Sequence, residues 1–116
     1  MNIALCQVNP IVGAYNYNRD LILKYYQDCI KLNSDIIVFP ELIISGYPPQ
    51  DLLWEDGFVD ENLVILQDII DQSTIPLILG YIRKDGQHLY NSAAICYNGK
   101  LQSFYDKVLL LSLIHI

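Results

Sequence analysis

Apolar residues are spread along the chain in two rhythms, and each rhythm predicts a different kind of element. Residues 2–9, Asn-Ile-Ala-Leu-Cys-Gln-Val-Asn, alternate small or apolar side chains with polar ones and are stopped by Pro10, the pattern of a β-strand. After a turn at Gly13, the residues Leu21, Ile22, Tyr25, Cys29, Ile30 and Leu32 recur at helical spacing, with Arg19, Lys24, Gln27, Asp28 and Lys31 toward water. Asn16 or Asn18 is the expected cap, and Asn33-Ser34 ends the helix. Residues 35–39 form a short, continuous, β-branched run, which predicts a strand buried on both faces at the centre of a sheet. Strand, helix and strand make a βαβ unit with its two strands parallel.

Residues 45–54 mix turn formers with Tyr47, Leu52, Leu53 and Trp54, and are expected as an ordered loop packed over the end of the sheet. Val59, Leu63, Leu66, Ile69 and Ile70 give a second amphipathic helix over residues 58–72, with Asp56 or Asp60 as cap. Residues 75–83 read as a third, mostly apolar strand, in which Gly80 lets another backbone or a ligand approach closely. A turn at 84–87 leads to a strand over 88–97, and Asn98-Gly99-Lys100 is a hairpin signal into residues 101–106. The second half is a β-meander, and the fold class is α/β in a single domain.

Composition narrows the function. A hydrophobic fraction of 53% with 17% charged residues excludes a disordered tail, and 116 residues suffice for one packed core. The net charge of −6 comes from 7 basic and 13 acidic residues with no Lys/Arg cluster, so nucleic acid is excluded as a partner. No apolar run approaches the roughly 20 residues of a membrane span, and no basic segment precedes an apolar one at the start, so a soluble, cytoplasmic protein is expected. The three cysteines, Cys6, Cys29 and Cys96, are an odd number without a CxxC pair, which suggests neither a disulfide framework nor a zinc site. Each stands where an apolar residue is expected, and none has a base beside it in sequence.

Two residues carry candidate chemistry. Pro40 cannot donate a ladder hydrogen bond, so the strand stops and Glu41 falls just past its carboxyl end, where open α/β sheets bind ligands. Leu42, Ile43 and Ile44 follow directly, which predicts a desolvated cleft and a raised carboxyl pKa, as a general base near neutral pH requires. Lys107 follows the last strand among Tyr105, Val108 and Leu109, which can direct its ammonium into a cleft, although on these residues alone a surface lysine is the better reading. His88 flanks a turn with no second ligand at metal spacing and is assigned no chemistry.

Phe39-Pro40-Glu41 and Tyr105-Asp106-Lys107 together resemble the nitrilase, or carbon–nitrogen hydrolase, superfamily. Three further stretches look like one branch of it, the glutaminase domain of glutamine-dependent NAD⁺ synthetases: the start Ala4-Leu5-Cys6-Gln7-Val8-Asn9-Pro10, the loop Gly46-Tyr47-Pro48-Pro49-Gln50-Asp51-Leu52-Leu53, and Leu89-Tyr90-Asn91-Ser92-Ala93-Ala94. The resemblance implies the first half of an α-β-β-α sandwich over residues 1–110, with residues 111–116 as an artefactual tail outside the family. It implies Glu41 as general base, Lys107 as oxyanion stabiliser and Tyr47 in the glutamine pocket. The nucleophilic cysteine would belong to a later segment absent here, so the chain alone would be inactive. The ammonia released from glutamine would go to a missing carboxyl-terminal synthetase domain, which would use ATP and magnesium to amidate nicotinic acid adenine dinucleotide; the full-length enzyme would be a homo-oligomer. The alternatives are another amidase of the superfamily, or a non-catalytic α/β ligand- or partner-binding domain in which Glu41 and Lys107 merely line a groove.

Overall fold

A computed structural model describes residues 1–107; the expected tail at 111–116 lies outside the described residues. Five strands form one sheet in the order β1-β2-β3-β4-β5: Ile3–Leu5, Ile36–Val38, Leu77–Asp85, His88–Tyr97 and Lys100–Asp106. Two helices, α1 (Tyr15–Lys31) and α2 (Phe58–Asp71), connect the first three strands. β1, β2 and β3 are mutually parallel, with Leu5 opposite Val38 and Val38 opposite Ile78. The antiparallel hairpins β3-β4 and β4-β5 complete the expected meander. Counting directions through the sheet, β5 runs parallel to β2, so both deliver their carboxyl ends to the same edge.

β2 lies one place from the centre, which β3 occupies, because the meander adds two strands on one side and only β1 on the other. Nor is β2 buried on both faces. Ile37 is fully buried, whereas Ile36 and Val38 keep partial exposure. The buried face carries Ile37, Leu77, Leu79, Ala94 and Cys96, which share one core with Ile22 and Tyr26 of α1 and Ile65, Leu66, Ile69 and Ile70 of α2.

Neither helix uses the expected side-chain cap; Ala14 and Gly57 occupy the cap positions. Asn18 is instead wholly buried inside α1, where its amide accepts from the Ile11 N–H and donates to the carbonyls of Ile11 and Ile44. It thereby ties the β1-α1 loop to the segment that follows Glu41, satisfying backbone groups that no ladder reaches. The buried stripe of α1 contains Tyr15, Ile22 and Tyr26, while Tyr25 and Leu32 stay exposed. Tyr26 displaces Tyr25 because its hydroxyl has partners inside: it accepts from the Thr74 and Ile75 N–H groups and donates to the Ile75 carbonyl at 2.7 Å.

Candidate active site

Glu41 owes its place to a residue with no side chain. The ladder continues past β2 as the Phe39 N–H donates to the Ile78 carbonyl and the Gly80 N–H to the Pro40 carbonyl. The chain then crosses directly over Gly80, where a Cβ would stand 2.2 Å from the Leu42 nitrogen and 2.8 Å from the Glu41 Cα, so only glycine admits the crossing. Leu42 takes a left-handed backbone, φ 48°, which turns the chain and drives Leu42, Ile43 and Ile44 fully into the core. Such a conformation costs a leucine on the order of 1–2 kcal/mol, offset here by burial of the three side chains.

The carboxylate itself stays at the mouth of the cleft. Its side chain is 38% exposed, so the expected desolvation is not found. The apolar neighbours that suggested it turn away into the core and leave the carboxylate on the open side. That side is a groove of about 370 Å³ walled by Val38, Ile78, Gly80, Ala93 and Tyr105, with Glu41, Asn91 and Lys107 as polar groups.

Lys107 reaches the same groove from the end of β5. Its Nζ donates to Glu41 Oε1 at 2.7 Å, across 66 residues of sequence. That hydrogen bond, then the charge of the carboxylate, raises the Lys107 pKa above the usual lysine range, and the neighbouring Tyr47 adds to the shift. The pair therefore joins strand ends that are not neighbours: two strands, β3 and β4, lie between β2 and β5. The crossing over Gly80 closes the distance.

The end of β5 is pinned. Asp106 accepts a bidentate pair from Arg83, at 2.9 and 2.7 Å, and a hydrogen bond from the Ser92 hydroxyl. The Arg83 guanidinium is stacked 4.6 Å from the rings of both Tyr90 and Phe104. Arg83 foremost, then Ser92, holds the Asp106 carboxyl below its ordinary range.

Tyr47 lies on the loop after Glu41, 53% exposed, and outside the groove wall. Residues 50–54 of that loop form a short 3₁₀ turn that buries Leu53. Pattern reading missed Asn91, whose amide donates to Glu41 Oε1. It also missed the contact of Cys6, just past β1, with Cys29 of α1, whose sulfurs are 3.5 Å apart. Burial foremost pushes the Cys6 thiol up to about 12 and the Cys96 thiol to about 11, and none of the three cysteines lines the groove. Among the described residues no cluster of His, Cys, Asp and Glu is arranged to hold a metal, and no helix is long and apolar enough to cross a membrane.

A parallel βαβαβ unit extended by a meander, with a carboxylate–ammonium pair at the carboxyl edge, defines an α/β protein with a polar site where open sheets of this class bind ligands. The chain belongs to the carbon–nitrogen hydrolase family, whose model matches residues 2–115. It is 31% identical over 113 residues to a glutamine-dependent NAD⁺ synthetase of Thermotoga maritima, covering 95% of this chain and 19% of that enzyme. The crystal structure of a glutamine-dependent NAD⁺ synthetase from Cytophaga hutchinsonii superposes with a TM-score of 0.88 at 27% identity, over 93% of this chain and 19% of that one. An amidase from Nesterenkonia sp. shares the fold, with a TM-score of 0.82 at 24% identity over 95% of this chain and 43% of its own. The chain thus spans about a fifth of the length of the synthetases it matches.

Proposed function

We propose that the chain is the base-bearing part of a glutamine amidohydrolase that supplies ammonia to an NAD⁺ synthetase. The observation that carries this reading is the 2.7 Å pairing of Lys107 with Glu41 over an apolar-walled groove. Glu41 takes the proton of a cysteine thiol, the thiolate attacks the glutamine side-chain amide, and the Lys107 ammonium stabilises the oxyanion that forms. Tyr47, which acts on Lys107 from outside the groove wall, borders the glutamine pocket from the loop side in this reading. The thiol comes from outside these 116 residues: Cys6 and Cys96 are buried with raised pKa values, and Cys29 is packed against Cys6.

The names of the relatives support the destination of the ammonia. In this reading the synthetase part, with ATP and magnesium, amidates nicotinic acid adenine dinucleotide in a cytoplasmic homo-oligomer. The test is ammonia release from glutamine by the 116-residue chain and by the same chain continued through a relative's full hydrolase domain. The expected result is no release from the first and release from the second, lost in E41Q and K107A. Glutamine hydrolysis by the 116-residue chain that disappears in C6A, C29A or C96A overturns the assignment.

A further inference from the structure

Two donors converge on one oxygen of Glu41. The Asn91 amide and the Lys107 ammonium both donate to Oε1, and among the described residues Oε2 accepts no hydrogen bond. Asn91 acts a second time through its backbone: its carbonyl accepts the Lys107 N–H at 2.8 Å. The residue is 6% exposed and sits on β4 opposite Ile82, so its amide is held by the sheet rather than by a mobile loop. A buried amide donor costs free energy when unpaired, and here its partner is the carboxylate.

We propose that Asn91 is a positioning residue that fixes which oxygen of Glu41 acts as the base. Oε1 is engaged by Asn91 and Lys107, and Oε2 is the oxygen presented to the thiol; the S–H bond breaks, its proton moves to Oε2, and a thiolate remains. The same residue sets the height of Lys107 above the groove, so base and oxyanion stabiliser share one register. This rests on the reading of Glu41 as base, and deepens it.

The test separates the two. The Lys107 side chain, labelled with ¹³C at Cε, is titrated by NMR in the 116-residue chain as wild type, E41Q, N91A and N91D. The titratable groups that act on it are Glu41 and Tyr47, with Asp106 engaged by Arg83 and Ser92. E41Q is expected to lower the Lys107 pKa. N91A is expected to lower it partway, because the carboxylate is no longer held, and the isosteric N91D to raise it by adding a second negative charge. In the continued hydrolase domain, N91A is expected to lower kcat about 100-fold with KM little changed. A Lys107 titration unchanged from wild type in either folded Asn91 variant, with E41Q shifted, overturns the positioning role. Titrations that behave as expected beside a continued domain inactive toward glutamine leave the positioning role standing and sink the glutaminase reading instead.

Discussion

At the scale of the residue, the stability of this chain leans on side chains that serve backbone groups. Tyr26 satisfies the Thr74 and Ile75 N–H groups and the Ile75 carbonyl from inside the core. Tyr26→Phe keeps the ring and strands those groups, so a loss of about 1–3 kcal/mol is expected from urea unfolding. Asp106 gives a pH signature. Its pKa in the folded chain lies below the ordinary value near 3.9, so its pairing with Arg83 stabilises fully above about pH 4 and is lost as pH falls toward the folded value. The urea midpoint should therefore drop on acidification, and the drop should be shallower in D106N. Sequence pattern singled out Glu41 and Lys107 because each follows a strand, and the structure pairs them. It could not find Asn91, since the partner of a strand residue depends on register, nor choose Tyr26 over Tyr25, since neighbouring tyrosines differ only in what their hydroxyls can reach.

At the scale of the element, the site depends on a crossing. The chain after β2 passes over β3 at Gly80, where a side chain would overlap the backbone of Glu41 and Leu42. The objection to a side chain there is space, because Gly80 is not among the positive-φ glycines. Gly80→Ala should cost at least about 1–3 kcal/mol by denaturant unfolding, and should part Glu41 from Lys107, read as a fall in the Lys107 pKa. A folded G80A chain with an unshifted Lys107 would show that the pair is held without the crossing. Most elements were legible in the chain, and β4 covers the same residues as the expected strand, because the Asn98-Gly99 turn and the alternation before it agree. The caps were not: Asn18 is a better ligand for three loop backbone groups than for a helix end, which a local pattern cannot reveal.

At the scale of the whole molecule, the described residues form a two-layer object, helices on one sheet face and little on the other. The second face carries Ile3 and Leu5 of β1, 57% and 71% exposed, beside the half-buried Ile36, Val38, Ile78 and Ile95, and Tyr105, 64% exposed. Register places these side by side, since Leu5 faces Val38, Val38 faces Ile78 and Ile78 faces Ile95. Continuous apolar strands such as β2 are written for cover on both sides, and a bare sheet face of this kind drives association. The groove that holds Glu41, Asn91 and Lys107 is walled by Val38, Ile78 and Tyr105 from that face, so whatever covers it also bounds the site. The purified 116-residue chain is therefore expected to bind a hydrophobic dye and to sediment as dimers or larger species as its concentration rises. Replacing Leu5 and Val38 by Thr should reduce both effects while leaving the helix-covered core intact. A wild-type chain that is dye-negative, monomeric and cooperatively unfolding would mean that the face is closed in solution, and would favour a self-contained binding domain over one half of a sandwich.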